Sequence, residues 1–294
     1  VGGGFGGKSD VLVELYLALL TMATKRPVRM CYSREESFFG HGKRHPFTIT
    51  HKTGFDKNGK ITAAKIDITS ESGPYAYMSP YVLMYATEAG PGPYRVDNVH
   101  VDSRSVATNN MYTTAFRGFG ATQACIAYEQ QMDEAAKVMG IDRLELRRRN
   151  FLQTGEAIAT GFKVESAVWT DRCMTAAVEA LGDPTPDNGP IKTGRGVATY
   201  QQAYGRLVWL HDTAEAWIGI EMDATVVIRS GITDIGAGQT SSLAQIAAEL
   251  LGVNMDAITV YNSDSSTTPL AGTSTATRGL YMSGNAARLA AERL

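Results

Sequence analysis

The chain reads as an α+β protein, with mixed sheets and flanking helices. Three observations predict this. Two pairs of alternating apolar segments are joined by turn residues, as in β-hairpins: His45 to Phe55 with Ile61 to Ser70, and the stretch from Ala214 to Ile232. Longer segments repeat apolar residues at i, i+3/i+4 spacing, the signature of a half-buried helix. A strand, glycine-rich turn, helix pattern recurs three or four times, without the regular alternation that a single parallel sheet requires.

In chain order, Val1 to Lys8 is a glycine-rich turn around Phe5, and Val11, Leu12, Leu15, Leu19 and Met22 space a helix from Ser9 to Thr24, capped by Ser9 or Asp10. Val28 to Tyr32 reads as a short strand. Glu35-Glu36 after Ser33 reads as a helix first turn, acidic at the positive end of the dipole. The first hairpin turns at Asp56-Lys57-Asn58-Gly59-Lys60, where Asn-Gly supplies the positive φ angles. Gly73 to Pro93 carries Tyr75, Tyr77, Tyr81 and Tyr85 and reads as a long ordered loop or broken helix; Val96 to Val106 is a strand. Ala115 to Gly120, AFRGFG, opens a helix from Ala121 to Met139 that Gly140 closes. Asp142 caps a basic helix over Arg143 to Arg149, whose three arginines read as a solvated face, and Ala167 to Leu181 is a further helix. Gly182-Asp183-Pro184 through Gly189-Pro190 is the clearest linker. The expected division is therefore a first domain over 1–182, a linker over 183–193, and a second domain over 194–294. The second begins with a strand from Gly194 to Tyr204, followed by a hairpin about Met222-Asp223-Ala224. Then come a helix from Thr240 to Leu251, a strand from Ile258 to Tyr261, a Ser/Thr/Gly loop over Ser263 to Thr277, and a helix from Arg278.

Composition excludes several classes. With 294 residues and a net charge of −2, the chain can bury a sizeable core and carries no global field for nucleic acid or an anionic membrane. No apolar run approaches the roughly 20 residues of a spanning helix. Cys31, Cys125 and Cys173 are scattered, which suggests reduced thiols, a cytoplasmic setting and buried packing roles. The five histidines, His41, His45, His51, His100 and His211, lack metal-ligand spacing. The first glycine run is neither a Walker A loop nor a GxGxxG following a strand. The chain begins inside one motif and stops inside a helix pattern, as an internal piece of a longer polypeptide would. Four segments remain that can aim backbone N–H groups at an anion: Gly2 to Gly7, Arg117 to Gly120, Gly236 to Gln239, and Thr273 to Arg278. Four such elements without a catalytic acid point to a large phosphate-bearing cofactor that carries the chemistry.

GGGFGGK, RHPF (Arg44 to Phe47), TNN…TAFRGFGATQ (Thr108 to Gln123), the GxG-helix and TSTATR…GNA occur in that order. Together they resemble the molybdenum-cofactor subunit of the xanthine dehydrogenase/aldehyde oxidase family, across nearly the whole chain. The resemblance implies molybdopterin-binding domains, present as an internal fragment. It implies molybdenum on a molybdopterin, or on its cytosine dinucleotide. The activity would be oxidative hydroxylation of an electron-poor carbon with oxygen from water. Electrons would leave through [2Fe–2S] clusters and FAD on partner domains or subunits, in a hetero-oligomer and possibly a dimer of such assemblies. The family's catalytic glutamate lies beyond Leu294. By the same resemblance Phe5 and Gly6 present backbone N–H to the metal oxo group, Arg117 contacts the cofactor, and Ala276 offers main chain to the pterin or its phosphate. Phe119 lies against the flat substrate.

Three departures bear on the substrate. Purine-oxidising members carry Glu directly after GGK, where this chain has Ser9, and an upstream arginine where this chain has Tyr85. Losing both removes the hydrogen bonds that orient a purine. Tyr85, Tyr200 and Tyr204 can offer hydroxyls to a carboxylate-bearing heteroaromatic such as nicotinate. The family's GQG reads Gly236-Ala237-Gly238-Gln239, which leaves its glutamine missing or displaced by two. Aromatic or aldehyde substrates therefore gain ground over xanthine, within an expected class of aromatic N-heterocycles of nicotinate or purine type. Aldehydes, a hydroxybenzoyl-CoA reductase type of reaction, and a non-catalytic scaffold are the alternatives.

Overall fold

The computed structural model describes residues 2–183, 189–202 and 212–294. Val1, the linker centre 184–188, and Tyr204 and His211 lie outside the described residues. Helix α1 (Glu14–Thr24) begins later than the cap expected at Ser9 or Asp10. Val13 occupies the N-cap without a side-chain bond, while the Glu14 carboxylate accepts the Leu12 N–H at 2.8 Å. No α1 side chain is buried, so Leu15, Tyr16, Leu19 and Met22 form an exposed apolar face. The segment expected as a strand over Val28 to Tyr32 forms no regular element, because no strand lies beside it among the described residues. Helix α2 (Arg34–Gly40) starts as expected, with Ser33 and Glu36 exchanging side-chain and backbone bonds in a capping box.

The first hairpin forms. β1 (Phe47–Phe55) and β2 (Ile61–Gly73) run antiparallel, with His51 opposite Ile66. Gly59 turns the chain at φ +79°, where an added Cβ would stand 2.9 Å from Leu146 Cδ1. The tyrosine-rich segment is a helix, α3 (Ser79–Ala89), with proline in its first turn, where the missing N–H costs nothing. α3 carries the chain from β2 to β3 (Val99–Ala107), which pairs parallel to β2; the sheet order is β1-β2-β3. Helix α4 (Ala121–Met139) follows the AFRGFG turn and ends at Gly140 in the left-handed region. α5 (Arg143–Asn150) is capped by Asp142, and α6 (Thr170–Leu181) follows. A second series repeats the order. β4 (Ala216–Ile220) and β5 (Val226–Ser230) are antiparallel, α7 (Gln239–Leu251) crosses over, β6 (Ile258–Asn262) pairs parallel to β5, and α8 (Arg278–Ala291) ends it. The chain thus contains the same strand-strand-helix-strand-helix series twice.

Packing groups Cys31–Gln202 as one unit and joins Val1–Met30 to Ala203–Leu294 as another. This grouping differs from the division expected at the linker, because the first glycine turn packs on the loop before α7. Lys8 Nζ donates to the Ile235 carbonyl at 2.5 Å. An added Cβ on Gly4 would stand 2.8 Å from Ile235 Cδ1. In the first-named unit Ile66 and Ile68 of β2 pack with Leu83, Val99 and Val101, while Tyr94, Tyr128, Met132, Leu146 and Phe151 form a second cluster. The other unit is centred on Val226, Ile228, Leu243, Ala247 and Ala287.

Two expectations fail at α4. Arg147 is not solvated but fully buried; its guanidinium bonds Glu129 at 2.8 Å and Asp133 at 2.9 Å. Residues 194–202 form no strand, because Thr199 spends its polar groups on α4 instead. Its hydroxyl donates to Glu129 at 2.9 Å and its carbonyl accepts from the Tyr128 hydroxyl at 3.3 Å. Arg148 and Arg149 keep to the surface, paired with Asp171 and Glu145. Glu129→Ala leaves a buried guanidinium without its main partner. Urea unfolding of the full-length protein should show a loss of about 3–5 kcal/mol, against under about 1 kcal/mol for Glu145→Ala on the exposed pair.

Candidate functional site

Of the residues singled out from the sequence, Phe5, Gly6, Phe119 and Ala276 take the left-handed conformation in turns. In the unit Cys31–Gln202, Phe119 has φ +44° between Gly118 at +92° and Gly120 at +97°. Gly120 admits no side chain, since an added Cβ would stand 2.2 Å from the Val82 carbonyl of α3. A phenylalanine at positive φ costs about 1–2 kcal/mol, so its surroundings must hold it there. The Phe119 N–H donates to the Phe116 carbonyl at 2.8 Å, and the Ala121 N–H to the Gly118 carbonyl at 3.0 Å. The Phe119 ring meets Tyr85 edge to face, with centroids 5.4 Å apart at 80°. Tyr85 and Phe119, both expected at substrate, are thus brought together, with Tyr85 buried in α3 and Phe119 partly open. The Arg117 side chain is exposed. Tyr200 stands beside the same turn: its hydroxyl would be 3.4 Å from a Cβ on Gly118, it bonds Gln202, and burial pushes its pKa up.

The RHPF segment holds this turn from behind. Arg44 lies over the Phe116 ring, 4.3 Å from its centroid, and donates to the Arg117 carbonyl at 2.6 Å. His45 is buried and shares a 2.8 Å bond with Ser79 Oγ at the start of α3. Its carbonyl accepts from the Gln123 side chain at 3.1 Å. Burial, reinforced by the neighbouring Arg44 charge, lowers the His45 pKa to about 4.

In the other unit Phe5 has φ +52° between Gly3 at +116° and Gly6 at +94°. The turn closes through Gly7 N–H to the Gly4 carbonyl at 2.9 Å, and Ser9 N–H to the Gly6 carbonyl at 3.1 Å. Phe5 and Ser9 are exposed. The Gly6 N–H makes no hydrogen bond among the described residues. Before α8, Ala276 and Thr277 have φ +47° and +60°, and the Ala276 N–H is likewise unbonded among the described residues. Arg278 shapes this loop from within. It is buried, pairs with Asp212, and donates to the carbonyls of Ala271 at 2.8 Å, Thr273 at 2.7 Å and Thr213 at 2.9 Å.

The anion site expected at Gly236 to Gln239 is already filled. The Asp234 carboxylate accepts from Gly236 N–H at 2.8 Å, Ala237 N–H at 3.1 Å and Gly238 N–H at 3.3 Å, bonds that hold its pKa below the ordinary carboxylate value. Gly236 to Gln239 is therefore a self-capped turn, not an open anion nest. Gln239 Oε1 is buried with no hydrogen-bond partner among the described residues.

A family model described as "Molybdopterin cofactor-binding domain" matches residues 1–151, and another of the same description matches 179–294. The chain belongs to the xanthine dehydrogenase/aldehyde oxidase family. It is 32% identical over 284 residues to a probable xanthine dehydrogenase subunit of Bacillus subtilis, covering 96% of this chain and 38% of that protein. It is 44% identical over 185 residues to "Nicotinate dehydrogenase large molybdopterin subunit" of Eubacterium barkeri, covering 62% of this chain and 44% of the relative. The crystal structure of the aldehyde oxidoreductase from Desulfovibrio desulfuricans matches all of this chain and 33% of its own, with TM-score 0.86 and 29% identity. The chain thus spans between 33% and 44% of the length of these relatives. For this family's anionic cofactor, the two unbonded main-chain N–H groups of Gly6 and Ala276 in one unit are fitting donors, and the orphaned Gln239 oxygen is an acceptor for a ligand N–H or O–H.

Sequence reading named Phe5, Gly6, Ser9, Tyr85, Arg117, Phe119 and Ala276 but gave no role to Arg44, Asp234 or Arg278. Asp234 was legible, since Asp two residues before a Gly-x-Gly helix start is a capping pattern. Nothing local marks Arg278 as buried. Because folded His45 resists protonation, unfolding takes up a proton between about pH 6.5 and 4, and stability falls as pH drops through that window. The loss should be about 1–3 kcal/mol in denaturant titrations, and His45→Gln should flatten the slope.

Proposed function

We propose that this chain is the cofactor-binding part of a molybdenum-dependent oxidoreductase that hydroxylates an aromatic N-heterocycle of nicotinate or purine type. It divides into two molybdopterin-binding domains at the linker 183–193; the presence of two family matches supports two domains. The cofactor is molybdopterin or its cytosine dinucleotide. When bound, it supplies water-derived hydroxylation of an electron-poor carbon and takes up the electrons. Phe5, Gly6 and Ala276 hold it through main chain, and Arg117 through its guanidinium. [2Fe–2S] and FAD sit on partner domains or subunits of a hetero-oligomer. No helix among the described residues is long and apolar enough to cross a membrane. With all three cysteines unpaired, a cytoplasmic location is consistent.

The observation that carries the substrate class is the Tyr85–Phe119 pair. A phenylalanine fixed at positive φ against a buried tyrosine offers a flat wall for a planar ring. Where purine-oxidising relatives offer a guanidinium, this chain offers a phenol. Ser9 replaces their carboxylate. A nicotinate-like ring therefore fits better than xanthine, and the likeness to a nicotinate dehydrogenase subunit supports this. Aldehyde oxidation is the second reading, favoured by the likeness to aldehyde oxidoreductases.

The test uses the native complex with an artificial electron acceptor and a panel of nicotinate, xanthine, hypoxanthine and benzaldehyde. Turnover of nicotinate above the purines is expected; absence of molybdenum and pterin from the purified complex would sink the enzyme reading. Arg117→Ala should lower pterin and molybdenum content about tenfold or more, the scale of one lost charge-assisted hydrogen bond, as metal analysis reads. Phe119→Ala should leave that content unchanged and raise KM about tenfold, the worth of one aromatic contact.

A further inference from the structure

The AFRGFG turn is held by a residue that does not belong to it. Arg44 sets its guanidinium over the Phe116 ring, with its carbon 4.3 Å from the centroid. From that plane Nη2 donates to the Arg117 carbonyl at 2.6 Å and Nη1 reaches Gln123 Oε1 at 3.5 Å. Gln123 is tied in turn to the His45 carbonyl at 3.1 Å. The Thr122 hydroxyl approaches the same Arg117 carbonyl at 3.5 Å. Only a planar fork can stack on a ring and hydrogen-bond sideways at once; a lysine ammonium cannot.

A trans peptide is planar, with its C=O and N–H pointing to opposite sides. Drawing the Arg117 oxygen toward Arg44 therefore turns the Gly118 N–H the other way. That N–H makes no hydrogen bond among the described residues. The next residue is Phe119, whose φ of +44° places its ring against Tyr85. One peptide plane thus decides where a main-chain donor points and where an aromatic wall stands.

The geometry points to Arg44 as a positioning residue. By stacking on Phe116 and holding the Arg117 carbonyl, it sets the 117–118 peptide, and with it both the cofactor-facing N–H of Gly118 and the substrate-facing ring of Phe119. The cofactor and substrate parts of this inference rest on the function proposed above. The orientation of the turn does not.

The experiment compares full-length wild type, Arg44→Gln and Arg44→Lys. Three readouts are taken: hydrogen exchange of the 115–121 backbone in cofactor-free protein, pterin content per polypeptide, and KM and kcat on the substrate that the panel identifies. Both variants should exchange at 115–121 at least tenfold faster than wild type, while α5 stays unchanged. Pterin content should fall threefold or more, and KM should rise about tenfold with a smaller change in kcat. Arg44→Lys keeps the charge and decides the matter if Arg44→Gln precipitates. Wild-type exchange, pterin content and KM in Arg44→Lys would overturn the proposal, as would uniformly faster exchange throughout the protein, the mark of a merely structural role. A wild-type protein without molybdenum would fail the functional reading alone, and the exchange data would still decide the role of Arg44.

Discussion

A non-glycine residue at positive φ carries a backbone penalty of about 1–2 kcal/mol, and this chain accepts it at Phe5, Phe119, Ala276 and Thr277. Each lies in a turn that leads toward a helix, and each turn directs peptide groups away from regular hydrogen bonding. The rest of the architecture follows from keeping those turns in place. Gly120 exists so that α4 can start against the α3 backbone. Arg278 gathers three carbonyls so that the loop before α8 cannot relax. Lys8 fastens the first turn to the Ile235 carbonyl. The sheets and cores supply the rigidity against which this local strain can be sustained.

Much of this was legible in the sequence, for local reasons. Asn58-Gly59 fixes a hairpin, Asp142 a cap and Gly140 a helix end, because each acts through its own neighbours. The turns around Phe5 and Phe119 stood out through their glycines, whereas Ala276 was marked only by the family resemblance. What was hidden depends on distant partners. Nothing adjacent to Arg147 says that Glu129 and Asp133 await it, so a basic run read as solvated. The apolar spacing of α1 implied a buried face, whereas those side chains are exposed. The segment 194–202 reads as a strand, yet Thr199 gives its carbonyl and hydroxyl to α4. Spacing reports which residues can share a face; it does not report what covers that face.

The repeated strand-strand-helix-strand-helix series gives the chain two chances to build the same device, and it uses them differently. In the unit Cys31–Gln202 the turn before α4 is braced by an arginine contributed from upstream and carries the Phe116 and Phe119 rings. In the other unit the corresponding turn is braced by an arginine at the start of its own helix, with small and hydroxyl residues as its surface.

The Asp234 cap has a consequence of its own. A turn that carries its own carboxylate is shaped by an internal counter-charge. The turns around Gly6 and Ala276, whose N–H groups lack such a counter-charge, look outward for theirs. One loop of this unit is thus closed electrostatically by its own chain, while the other two are left with open main-chain donors.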